Sequence, residues 1–135
     1  MVRLLTLSVL TDEFSVLQLP LSDPMPAWIH KTSIWSVTKT SEEVSIVCPA
    51  RAVVHTDPLK VESGWKCLKV HGPFDFDEVG IIAGLTAILA EHEIGVFVVS
   101  TYETDYLLVK NVHLEKAVKA LSEKGHRIIS DQSGD

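Results

Sequence analysis

The stretch from Gly72 to Lys110, GPFDFDEVGIIAGLTAILAEHEIGVFVVSTYETDYLLVK, constrains the fold most, because it sets an order of loop, helix, strand, turn and strand. Ile81, Ile82, Leu85, Ile88 and Leu89 recur at helical spacing after a loop that carries Asp75, Asp77 and Glu78. Asp77 stands where an N-cap would, which predicts a helix of about four turns. Gly80, Ala83, Gly84 and Ala87 make a second side that holds only small residues, open to a packed neighbouring helix or to a small ligand. Val96 to Val99 is continuously apolar, which predicts a central strand covered on both faces. Thr101 to Asp105 reads as a hairpin turn, and Tyr106 to Val109 as the returning strand.

The flanks complete a unit. Trp65 to Val70 alternates as a strand, with Trp65, Cys67 and the Lys69 stem on one face and Leu68 and Val70 on the other. Asn111 is expected to cap a second helix, whose Leu114, Ala117, Val118 and Leu121 follow i, i+3, i+4, i+7. Gly125 stops it as a C′ residue, and Arg127 to Ile129 forms a last strand. The order βαββαβ gives a ferredoxin-like sandwich, with helices on one face of a mainly antiparallel sheet.

The first half reads as a degenerate copy of the second. Adding 62 carries Leu4–Val9 onto Lys66–His71, Ser33–Thr40 onto Gly95–Tyr102, and Val44–Val47 onto Tyr106–Val109. A constant offset over three separated strands is what duplication of one supersecondary unit produces, with chance strand matching as the alternative. Pro20, Pro24 and Pro26 forbid a continuous helix where the second half has one, since proline removes a donor and clashes inside a helical turn. Phe14 to Leu19 is then an extra strand, Pro26 to His30 a short helix opened by proline, Pro49 to Val54 another short helical piece, and Leu59 to Glu62 a strand. Ser63-Gly64 is the expected junction. The expectation is an α+β protein of two repeats, residues 1–63 lacking the long first helix and residues 64–130 complete, with a disordered tail at 131–135.

Composition narrows the function. A hydrophobic content of 46% over 135 residues supports a real core, and a net charge of −6 with scattered Lys and Arg argues against a nucleic-acid surface. The N-terminal RLLTLSVL is too short for a membrane helix and meets Asp12 and Glu13 before any small-residue cleavage site. Cys48 and Cys67 show no paired motif. A soluble, cytoplasmic protein is expected. The six histidines have no tight metal-ligand spacing, Ser100 has no nucleophile elbow, and no phosphate-binding glycine loop follows a strand. Neither an enzyme nor a bound cofactor or metal is expected. The pairs Asp75/Asp77 and Glu103/Asp105 read as caps, turns or ligand anchors.

Residues 72–110, with the following helix and GHRII, resemble an ACT-domain repeat, most specifically at STYETDYLLV, residues 100–109. The likeness is to the ACT repeats of CASTOR-type arginine sensors and of aspartokinase regulatory regions. It covers residues 65–130 strongly and the first half through the internal repetition. The resemblance implies a small effector, often an amino acid, bound between the loop and first helix of one repeat and a facing strand of another. The ligand-binding set so implied is Asp75, Phe76, Glu78, Val79, Gly80, Ile81, Ser100 and Thr101.

Elementary physics runs the same way. Amides of Val79 to Ile81 at a helix N-terminus can receive a carboxylate, while Asp75 and nearby carbonyls can receive an ammonium. Leucine in place of Gly80 is expected to block that approach at little cost to the fold. The chain therefore reads as a non-catalytic regulatory module that binds an amino acid and signals to a partner protein, the alternative being a dimerisation scaffold without ligand. A homodimer is expected in either case.

Overall fold

The computed structural model describes residues 3–22, 25–55, 57–72, 74 and 78–130. They belong to two compact units, Asp12–Trp65 and Met1–Thr11 with Lys66–Gly134. Two long strands, β1 (Thr6–Leu19) and β4 (Lys60–Val70), give one half to each unit. Separate strands were expected at Leu4–Val9 and Phe14–Leu19, but β1 runs unbroken through Leu10 to Glu13, where neither proline nor glycine interrupts it. Likewise Ser63 and Gly64 lie inside β4 rather than in a break. Gly64 adopts φ 83 there, a conformation that glycine alone takes without steric cost. Leu59 N–H donates to the Gln18 carbonyl at 2.8 Å and His71 N–H to the Thr6 carbonyl at 2.9 Å, so β4 runs antiparallel to β1.

In the unit Asp12–Trp65 the strand order is β2 (Ser36–Lys39), β3 (Val44–Pro49), β1, β4. The β1–β3 register runs from Phe14 opposite Pro49 to Leu19 opposite Val44, and β2 pairs on the other edge of β3. Short 3-10 helices at Ala27–Lys31 and Ala50–His55 stand where the second half has α-helices. Pro26 is the N-cap of the first, at φ −62, as its fixed ring geometry favours. Thr32 ends that helix, with both its amide and its Oγ1 donating to the Ile29 carbonyl. Leu17, Leu19, Ile29, Ile46, Cys48 and Ala52 form this unit's core.

In the other unit the order is β7 (Arg127–Ser130), β1, β4, β6 (Asp105–Lys110), β5 (Phe97–Ser100). The β7–β1 pairing is parallel, with Thr6 opposite Arg127, and the β5–β6 hairpin is antiparallel. The fold is thus α+β with mainly antiparallel pairing. β5 ends the strand order and is half-buried, which corrects its assignment as a central strand: a continuous apolar run does not specify how many neighbours a strand gains.

Two helices cover this sheet. α1 (Ile81–Glu91) buries Leu85, Ile88 and Leu89, and α2 (Leu114–Glu123) buries Ala117, Ala120 and Leu121. They share a core with Leu7, Leu68, Val70, Leu107 and Val109. Each fully buried leucine contributes about 1.5–3 kcal/mol. Gly125, at φ 98, terminates α2 as expected, its amide donating to the Ser122 carbonyl. Two capping expectations are corrected. Asn111 opens a 3-10 turn, Asn111–His113, and His113 is the residue that precedes α2. α1 has Gly80 as its N-cap and is eleven residues long, about three turns rather than four; Asp77, the expected N-cap, lies outside the described residues.

Candidate functional site

The site is built where β4, α1 and the β5–β6 turn converge. The turn is locally closed: Thr101 N–H donates to the Thr104 carbonyl at 2.8 Å, and Ser100 Oγ donates to Asp105 Oδ1 at 2.6 Å. Thr104, buried at 9% exposure, fastens the turn to the end of β4 by donating its Oγ1–H to the Val70 carbonyl. The segment leaving β4 is tied to the same turn, since Phe74 N–H donates to the Glu103 carbonyl at 3.0 Å. Gly72 is required for that approach, because a Cβ there would lie 2.9 Å from the Glu103 oxygen.

Gly80 starts the helix in the left-handed region at φ 86 and, as a glycine, supplies no side-chain cap to the first turn. The first intrahelical bond is Gly84 N–H to the Gly80 carbonyl at 2.9 Å, so the amides of Ile81, Ile82 and Ala83 are the ones presented at the positive end of the helix. The positive φ also overturns the expectation that leucine at position 80 costs the fold little: a side chain there is strained even though the space is open. Glu78 forms an ion pair with Arg3, whose guanidinium lies 4.9 Å from the centroid of the Phe74 ring.

These parts enclose a cavity of about 330 Å3, lined on one side by Phe74, Glu78 and Gly80 to Ala83 and on the other by Ser100 to Asp105. Glu78, Gly80, Ile81, Ser100 and Thr101, all expected from sequence, meet here. Val79 does not: it is 92% exposed and borders a second cavity, which shares Glu78, Gly80 and Ile81 with the first. Asp75 and Phe76 lie outside the described residues. Asp105, read from sequence with Glu103 as a cap, turn residue or ligand anchor but not counted in the binding set, also lines the cavity, its carboxylate accepting the Ser100 hydroxyl. The cysteines take no part. Burial pushes the Cys67 thiol up to about 12 and the Cys48 thiol to about 11, as suits small buried apolar groups.

Residues 60–123, which carry this cavity, match the profile of the ACT domain, a regulatory and non-catalytic module, and residues 12–56 match a family profile described as an N-terminal domain. Along its whole length the chain is similar to Atu0741 from Agobacterium tumefaciens, at 34% identity, covering 99% of this chain and 98% of that one with a TM-score of 0.86, and it belongs to the same family. The fold is also similar to the ligand-free regulatory subunit of aspartate kinase from Thermus thermophilus, at 7% identity, 87% and 94% coverage and a TM-score of 0.63. Clostridium acetobutylicum aspartate kinase shares it at 15% identity and a TM-score of 0.60, over 87% of this chain and 33% of the enzyme. No curated protein matches the chain in sequence. Among the described residues no helix is long and apolar enough to cross a membrane.

Proposed function

We propose that this chain is a regulatory module that binds a free α-amino acid in the 330 Å3 cavity and passes the binding event to a partner protein. The observation that carries the reading is the polarity of the walls. One wall offers the amides of Ile81 to Ala83 at a helix start, suited to a carboxylate, and the facing wall offers the Asp105 carboxylate with Ser100 and Thr101, suited to an ammonium. A zwitterion matches both at once, and the cavity volume is that of a small-molecule site. The likeness to aspartokinase regulatory parts supports the regulatory role. Asp75 and Phe76, outside the described residues, belong to the same proposal, Asp75 as a second acid for the ammonium.

The duplication is part of this reading. Residues 1–63 run strand, short helix, two strands, short helix, strand, and residues 64–130 run strand, helix, two strands, helix, strand, which supports two ferredoxin-like repeats of which the first has lost its long helices. The alternative, a scaffold that only dimerises, is favoured by one feature: β5 ends its strand order and leaves an edge that a second copy can pair with.

A thermal-shift screen of the twenty amino acids separates the two. A ligand present at a hundred times its Kd adds about 2.7 kcal/mol to the folded state and raises Tm measurably. Asp105→Ala is expected to weaken the responding amino acid by about 1.5–3 kcal/mol, the range for a charged hydrogen bond. A flat response to all twenty would leave the scaffold reading in place.

A further inference from the structure

We propose that a cavity of about 480 Å3 in the unit Asp12–Trp65, where its two 3-10 helices meet, is a binding site for an aromatic phosphate monoester of nucleotide size. Among the described residues it is lined by Trp28, Lys31, Thr32, Arg51 and Ala52. The first three come from the helix Ala27–Lys31 and the residue that ends it, the other two from the start of Ala50–His55. Ile29 and Ala52 pack into the core of this unit, so each short helix is anchored by a buried residue and carries its cation, Lys31 or Arg51, at the surface. None of the lining residues borders the cavity assigned to an amino acid, so the inference stands apart from that reading.

The charge of the lining selects an anion. The chain holds 18 acidic residues against 12 basic ones, yet both charged residues of this lining are cations. The Lys31 ammonium has no ion-pair partner among the described residues. Arg51 is paired with Asp12, but two of its guanidinium nitrogens reach the same carboxylate oxygen at 3.4 Å and its side chain is 55% exposed, so this pair is weak and yields to a better acceptor. Two positive charges, one of them a planar fork, match the dianion of a phosphate monoester. Trp28 selects the rest of the ligand. Its Nε1 is closed to solvent, so the half-buried ring offers carbon to the cavity, a surface on which a flat ring stacks. The Thr32 Oγ1–H is committed to the Ile29 carbonyl at 3.0 Å, so toward a ligand Thr32 is an acceptor, suited to a sugar hydroxyl. The volume exceeds the 330 Å3 of the amino-acid cavity and gives room for ring, sugar and phosphate together.

The test is a titration of the full chain with adenosine monophosphate, followed through the indole N–H resonance of Trp28, with adenosine and inorganic phosphate as comparisons. The monophosphate is expected to move that signal saturably. Adenosine, which lacks the dianion, and phosphate, which lacks the ring, are each expected to bind about tenfold more weakly or worse. Lys31→Gln and Arg51→Gln, both at exposed positions, are each expected to weaken the monophosphate about tenfold without lowering Tm. A Trp28 signal that ignores the monophosphate would overturn the proposal. Adenosine or phosphate binding as tightly as the monophosphate, or undiminished binding in both folded variants, would overturn it as well.

Discussion

His126 shows how one side chain couples the ends of the chain to pH. Its Nδ1 holds the Leu5 amide, 121 positions earlier, and its burial disfavours the charged ring. The folded-state pKa is depressed below the unfolded value of 6.5, so between the two the unfolded chain binds the extra proton. The stability that His126 contributes is complete above about 6.5 and is lost as pH falls through the folded pKa. Arg3 and Glu78, the charged groups that border one cavity with His126, are paired with each other, so the titration in that window is expected to follow the imidazole. Urea unfolding at pH 7.5 and 5.5 is expected to show a loss of stability in the wild type that shrinks in His126→Gln. An equal loss in both would assign the pH effect to other groups.

At the scale of an element, the start of α1 is set by two glycines with opposite roles. Gly80 occupies the left-handed region, where any L side chain is strained by about 1–2 kcal/mol, whereas Gly84 sits in the helix proper with open space around it. Gly80→Ala is expected to destabilise the protein by about 1 kcal/mol or more, and Gly84→Ala to stabilise it by about 0.8–1 kcal/mol through helix propensity. Urea midpoints for the two variants check this directly, and a shift of the same sign in both would contradict the conformations described. The apolar periodicity of α1 was fully visible in the sequence. Its first residue was not, because the N-cap is Gly80, a residue with no side chain to signal the helix start.

For the whole molecule, the strand β1 matters more than its position at the N-terminus suggests. Thr6 to Val9 pair in parallel with Arg127 to Ser130, and Leu5 and Leu7 belong to the same core as Leu68, Leu107 and Leu121. A chain reduced to residues 65–130 loses that strand and uncovers those leucines. It is expected to unfold with a lower urea midpoint and a broader transition than the full chain, and cooperative unfolding at undiminished stability would refute the shared core. The homodimer proposed from the β5 edge predicts a sedimenting species of about twice 14.9 kDa at micromolar concentration; a monomer alone would count against it.

The amino-acid sequence by itself determined the order of elements after Gly64, the apolar faces of both helices, the short helical pieces among the prolines of the first half, and five residues around the candidate amino-acid cavity, Glu78, Gly80, Ile81, Ser100 and Thr101. Each of these depends on neighbours a few positions away, through helical period, proline geometry or a turn residue such as Gly125. Tertiary structure alone decided that β1 lies between β7 and β4, that β5 ends the order, and that His126 is buried against Leu5 with its second nitrogen unpartnered among the described residues. An apolar pattern states which face must be covered but carries no record of which distant segment covers it, and strand pairing and burial are settled only when those segments meet.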